Sequence, residues 1–418
     1  MGIDRSPYSP SLQRKIVYAG TSHGSFERGQ QALQELAEVE VSTKQVERLT
    51  QQIGSERVAE RNAAVAAFEA LPLTDKHQTP AEASRPEVAV VMVDGGRLQI
   101  LERGSATAAE DDELVPPGRE RGKHWREDKA ALLATVSSAT SARDPCPQIP
   151  ETFVDPTRIL KLARELHTVP AGLDGVAEPE PTETAADETT TTDYEAPTIH
   201  TRQVVASRRR WPDFAPLVAQ AARTAGLLGA TRRAFVADGS DNNWAIQRRF
   251  FGSWTAIIDF IHVLSYLFAA ATAGQKFAEG WPVYVRWIRW LWQGQAEPII
   301  AEVAQRQLEL GAPQPDDGET HPRRLVADAL TYLQNHKDKM RYDTYRCQGL
   351  PITSSHMESL MKQINQRVKG TEKFWCEEGA EAILQLRADL LSDDQPLDAF
   401  WERRQAAQTG QRRHQRAA

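Results

Sequence analysis

The stretch AVVMVDGG, residues 89–96, decides how this chain is read. Five residues suited to a buried strand, Ala89 to Val93, run straight into Asp94, and Gly95 and Gly96 follow. The Gly-Gly pair between apolar runs predicts a hairpin turn, which makes 87–101 two strands with a tight connection. A strand that stops on a carboxylate either closes in a plain surface turn or presents a ligand at the tip of a rigid element. The grammar recurs at FVADGSDNNW (235–244), where an apolar run meets Asp238 and Gly239. Singly, each Asp-Gly reads as a turn. Together they suggest two carboxylates delivered to one sheet edge, with the small Gly leaving room for a ligand. Paired carboxylates on a fixed edge suit Mg²⁺, or Mn²⁺ in its place, because these ions take oxygen ligands and keep waters for phosphates.

A third acid is supplied by Glu358, which opens a helix predicted over 355–369 after the loop Pro351-Ile352-Thr353-Ser354-Ser355-His356. At helical period its face carries Lys362, Asn365 and Lys369. Taken by itself, that face reads as a solvated Glu–Lys pair at i,i+4. Asp259 and His262 in IIDFIHVL (257–264) fall where a strand becomes a helix, and their spacing turns both toward the same edge.

Around these residues the chain divides by composition. Residues 1–85 read as helical, and Ser42 and Gln45 have the spacing of a capping box. Val46, Leu49 and Ile53 follow at helical period, and Gly54 is placed to stop the helix. Two such helices form a helix-turn-helix candidate with Lys44, Gln45, Arg48 and Gln52 facing out; any small helical hairpin shows the same pattern. Residues 86–170 carry strands at 87–101 and 129–138, an acidic excursion at 104–122, and a helix at 155–166 with Asp155 as cap and Pro156 at its first position. The segment 171–200 is low-complexity and acidic and predicts a disordered linker. Strand and helix signals resume over 201–274. A Trp-rich helical stretch fills 275–345, with Trp281, Trp287, Trp290 and Trp292 close together. Helices return at 346–395, and 396–418 is a basic tail.

The formal net charge of −7 does not exclude nucleic acid, since eight acids lie in 171–199 with no Lys or Arg; without them it becomes +1. The three cysteines form no zinc spacing. A chain start without an apolar run and the lack of a membrane-length apolar segment predict a cytoplasmic protein, nucleoid-associated when bound to DNA.

The blocks VMVDGGRLQ, FVADGSDNNW, IIDFIHVLSYL and LPITSSHMESLMKQINQRVKGTEKFW resemble, in this order, those of bacterial insertion-sequence DDE transposases of the Kra type, relatives of the mutator-like group. The resemblance covers about residues 10–70 and 86–400, and its most specific block is the last. It implies an α/β fold with a ribonuclease-H-like mixed sheet and a helical insertion, preceded by a helix-turn-helix-like helical domain. It implies Asp94, Asp238 and Glu358 as catalytic metal ligands for Mg²⁺, with Asp259 and His262 in support. Partners implied are transposon-end and target DNA and a second copy of the chain, in at least a dimer. Lys44, Arg48, Lys362, Arg367, Lys369 and Lys373 are the expected DNA contacts, and Trp375 a stacking residue or a core one. The sequence departs from the family in lacking a cysteine-rich piece before the helical start and in reading Thr353-Ser354-Ser355 where relatives have a Gly-Ser-Gly loop. The competing expectations are a transposase remnant that binds DNA without cutting it, and a metal-dependent phosphatase or other nuclease.

Overall fold

A computed structural model describes residues 7–101, 123–166, 169–170, 195–370 and 373–407. The excursion at 104–122, most of the acidic segment and the end of the basic tail lie outside the described residues. The chain opens with helices α1 (Pro10–Ser22), α2 (Phe26–Ala37), α3 (Thr43–Glu69) and the single turn α4 (Leu73–Lys76). Strands β1 (Val88–Leu101) and β2 (Lys123–Ser137) follow, then α5 (Pro156–Glu165), β3 (Thr198–Ser207) and α6 (Trp211–Thr224). Next come β4 (Arg232–Ala237), α7 (Asp241–Phe250), β5 (Thr255–Ile258) and α8 (Phe260–Thr272). Helices α9 (Phe277–Trp292), α10 (Ala296–Leu310), α11 (Pro322–His336) and α12 (Tyr342–Cys347) fill the Trp-rich stretch. The last described elements are α13 (Ser355–Val368), α14 (Glu377–Leu391) and α15 (Pro396–Ala406). No described helix is long and apolar enough to cross a membrane.

The fold is α/β. Among the described residues, five strands form one mixed sheet in the order β3-β2-β1-β4-β5. β1, β2 and β3 are antiparallel neighbours, whereas β4 and β5 run parallel to β1. The central strand shows why the opening stretch is so apolar: Val88 to Val93 are buried on both faces, as expected of a strand covered by helices on each side. Pairing of β1 with β4 ends at Val93↔Ala237, yet β1 continues against β2 as far as Leu101↔Lys123. The end of β4 therefore opens a gap beside the second half of β1.

Several expectations are corrected here. Gly95 and Gly96 do not turn; they pair with Lys129 and Asp128 inside one continuous strand. The small size of Gly96 is used on the sheet face, because a Cβ there would lie 2.6 Å from the Met361 methyl of α13 and 2.9 Å from an Asp128 carboxylate oxygen. Gly54 does not stop its helix, and α3 runs on to Glu69. A Cβ at Gly54 would lie 2.6 Å from the Ala382 carbonyl of α14, so this glycine lets two helices meet backbone to backbone. Residues 198–200 belong to β3 rather than to the acidic linker, and β2 begins at Lys123, six residues before the expected 129.

Residues 396–406, read as the start of a basic tail, form α15. Phe400 and Trp401 bury with Ile16, Val17, Leu33, Val46 and Ile53 in a second hydrophobic cluster joining the first helices to the last. Ion pairs fasten the same contact: Arg57 Nε to Asp389 Oδ2 at 2.9 Å and Arg61 Nη2 to Glu381 Oε1 at 2.8 Å. Arg403 and Arg404 pair with Glu60 and Glu56 of α3. The capping box at Ser42 and Gln45 is present, as is the Asp155 cap with Pro156 at the first position of α5.

Candidate metal centre

The candidate site lies in the gap past the end of β4, in a cleft of about 920 Å³. Asp94 and Asp238 occupy the positions just after the last register pair of two adjacent parallel strands, so backbone geometry alone sets them side by side. Asp238 is held further. Its Oδ1 accepts Ser240 N at 2.9 Å and Asn243 Nδ2 at 2.7 Å, and Asn243 also donates to Val93 O at 3.3 Å. Asn243 thus ties the tip of β4 to the residue before Asp94. Asp94 Oδ1 accepts its neighbour's amide, Gly95 N, at 2.7 Å.

The opposite wall is α13. Glu358, Met361, Lys362, Asn365 and Lys369 all line the cleft, the stripe expected at helical period. α13 begins where it does because Asp259 holds it. This fully buried carboxylate accepts Ser354 N at 3.0 Å and Ile261 N at 3.4 Å on Oδ1, and His262 Nδ1 at 2.6 Å on Oδ2. One side chain caps α8, anchors the start of α13 and orients the histidine.

Among the described residues, the one trio of His, Cys, Asp or Glu whose ligand atoms lie within 4.8 Å of one another is Asp259, His262 and Glu358. Both Asp259 oxygens are already engaged by hydrogen bonds, so Asp259 is better suited to orienting its neighbours than to binding an ion. The three acids picked out by the sequence share the cleft without forming so tight a trio. They form a row, with Asp94 and Asp238 at the sheet, His262 beside them and Glu358 across the cleft.

The electrostatics of the row are those of an incompletely neutralised acid cluster. Burial, then the Asp238 carboxylate, push the Asp94 pKa up to about 6 against the pull of the Gly95 amide and His262. Burial also raises the Glu358 pKa, with Asp259 adding to it. Burial alone would lower His262, but the hydrogen bond and charge of Asp259, with Asp238 and Asp94 behind them, raise it to about 9. At neutral pH the imidazolium is then a cation among these acids, with Nδ1 committed to Asp259. Buried acids raised by neighbouring carboxylates, beside a histidine drawn to its charged form, are the donor set a divalent cation fits.

The expected DNA contacts divide sharply. Lys362 and Lys369 are exposed along the cleft, and Lys369 Nζ lies 5.8 Å from the centre of the Trp125 ring. Lys44 and Arg48 are exposed on α3, Lys44 with Glu47 at 2.8 Å. Arg367 is corrected: 2% exposed, it donates twice to Gly20 O at 3.0 and 2.9 Å, between the rings of Phe26 and Trp375. It is a structural bolt between α1 and the core. Lys373 donates to Gln366 O at 2.8 Å and to Arg367 O at 3.3 Å, satisfying carbonyls at the end of α13. Trp375 is buried, donates to Val368 O at 2.9 Å and takes the core role.

Sequence reasoning missed Asn243, Asp128 and the cleft-lining Glu165 of α5. Asn243 carried a readable signal, since an amide one turn into a helix that follows a strand-end Asp can bond back to it. Asp128 carried none. It is 1% exposed with neither carboxylate oxygen hydrogen-bonded, and only its pairing across from Gly96 places it under α13.

No protein-family model matches this chain, and no curated protein matches it at a significant level.

Proposed function

We propose that the chain is a DDE-type DNA transposase, cutting DNA strands and joining them to target DNA on a ribonuclease-H-like core. The observation that carries the reading is the delivery of Asp94 and Asp238 to adjacent positions just past the last register pair of parallel strands β1 and β4, in one open cleft with Glu358 of α13. The sheet order, with three antiparallel strands followed by two parallel to the first, agrees with it. So does the placing of a four-helix insertion between β5–α8 and the Glu-bearing helix.

In this reading Asp94, Asp238 and Glu358 hold Mg²⁺, or Mn²⁺, with Asp259 fixing His262 and the start of α13. When bound, such ions activate a water or 3′-hydroxyl and stabilise the leaving oxygen of an in-line phosphoryl transfer. Lys362 and Lys369 lie along the Glu358 face, where each can meet a phosphate of a strand in the cleft. Their contribution falls with salt as counterions compete. Lys44 and Arg48 offer a second basic surface on α3. A dimer follows from the need to hold two DNA ends together.

The test is cleavage of DNA carrying the element's terminal repeats with Mg²⁺ or Mn²⁺, using Glu358→Gln as control. Metal-dependent nicking at the ends, lost in the variant, is the expected result. Binding without cleavage by the wild-type chain would replace this reading with that of a DNA-binding remnant.

A further inference from the structure

We propose that Tyr332, on the inserted helix α11, is a positioning residue for the cation site, donating a hydrogen bond into the Asp238–Asp259 side of the cleft when a divalent cation is bound there. The inference rests on the metal-site reading above and adds a residue from the insertion to it. Three observations converge. A Cβ at Gly239 would run into the Tyr332 ring, so the glycine after the second acid makes room for this side chain. The ring is fixed on both sides, stacked on Tyr266 with centroids 4.0 Å apart and edge-on to His336 at 4.9 Å. Its hydroxyl is nevertheless buried with no hydrogen-bond partner among the described residues, a costly state that native structures seldom leave without a reason.

The packing of the Tyr332 ring against Gly239, the residue next to Asp238, identifies its target. Burial, then Asp259, Tyr266 and Asp238, hold the phenol well above its ordinary pKa, so it stays protonated and can donate. The hydrogen bonds described for Asp238 all go to Oδ1. A donor near the Asp238 and Asp259 carboxylates therefore gains an acceptor when a cation orders them and their waters. Partners of this kind fix a metal-ligating carboxylate in place and typically change metal affinity by about 10–100-fold. The insertion thereby does more than fill space: it packs against the glycine that follows the second acid.

The experiment is calorimetric titration of Mn²⁺ into the full chain, comparing wild type with Tyr332→Phe, Tyr266→Phe and Asp238→Asn. Loss of the Tyr332 hydroxyl alone should weaken Mn²⁺ by about 10-fold, while Tyr266→Phe, the other ring of the stack, keeps wild-type affinity. A melting temperature for Tyr332→Phe equal to or above wild type ties the loss to the hydroxyl rather than to the fold. DNA cleavage by the same variant should fall at low Mn²⁺ and recover at saturating Mn²⁺, a rescue that a packing defect would not give. Wild-type-like Mn²⁺ binding in Tyr332→Phe alongside its loss in Asp238→Asn would overturn this inference and leave the metal site standing. Equal binding by wild type and Asp238→Asn, or none by either, would overturn both.

Discussion

The two Asp-Gly stretches look alike as text and differ as structure. At Asp94 the strand does not end; β1 passes through Gly95 and Gly96, and α13 closes over the face that Gly96 leaves bare. At Asp238 the strand does end, the chain turns into α7, and Gly239 admits Tyr332 of the insertion. Asp94 accepts a hydrogen bond from the next amide, whereas Asp238 accepts two on Oδ1, one from a side chain that also holds β1. One acid is thus displayed on a continuing strand and the other is clamped at a strand end. The lesson is that an Asp-Gly pair marks a place where something packs close, while what packs there is decided by distant parts of the chain.

The largest expected effect tests what the two stretches share. Asp94→Asn and Asp238→Asn should each lower metal-dependent strand cleavage by at least about 10³-fold, roughly 4 kcal/mol of transition-state stabilisation, while DNA affinity changes by less than about twofold. Rates from single-turnover assays at saturating DNA measure this directly. Cleavage by either variant at the wild-type rate would remove that acid from the proposed site.

The glycines test where the two stretches part. Gly239→Ala should cost about 2–3 kcal/mol, because its new methyl meets an aromatic ring held between two others. Gly96→Ala meets the far end of the flexible Met361 side chain first and should cost nearer 1 kcal/mol. Gly95→Ala, with its nearest contact at 3.4 Å from Trp211, should be neutral or stabilise by up to about 0.5 kcal/mol by removing glycine from a strand. Urea denaturation gives all three values. If Gly95→Ala proved the worst of the three, the chain would turn there after all.

These glycines also show what the sequence could disclose. Signals completed within a few residues were legible: the Ser42–Gln45 capping box, Asp155 before Pro156, the apolar run into Asp238, the passage from β5 into α8, and the helical stripe from Glu358 to Lys369. What failed depended on partners far along the chain. Gly54 looks like a helix stop until Ala382 is seen against it. Arg367 looks like a phosphate contact until Gly20, Phe26 and Trp375 enclose it. β3 escaped notice because its first half is largely exposed and directly follows the acidic segment, leaving only Val204 to Ser207 to show a buried strand. The candidate site was therefore readable in its strand-borne and helix-borne acids. The phenol placed beside them by topology was not.

The effect spread most thinly, over several pH units, separates Asp94 from its neighbours. Asp94 is held at about 6, above its unfolded value near 3.9. A group raised on folding contributes stability below its unfolded pKa and loses it as pH climbs through the folded value. In metal-free solution the chain should therefore weaken between about pH 4 and 6 by an amount on the order of 1–3 kcal/mol, reduced by whatever solvent screens Asp94. His262, raised to about 9, loses its stabilising contribution in a separate window, between about 6.5 and 9. Asp94→Asn should flatten the acid window by removing the group that titrates there. It should also leave the metal-free protein more stable than wild type at pH 7, since the carboxylate's repulsion from Asp238 is gone. Melting temperatures across pH 4–9 with a chelator present measure both effects, and Mn²⁺ should reverse the ranking by stabilising wild type alone. An Asp94→Asn variant that melts below wild type at pH 7 without metal would show that Asp94 is a structural residue, held by bonds that outweigh its crowding.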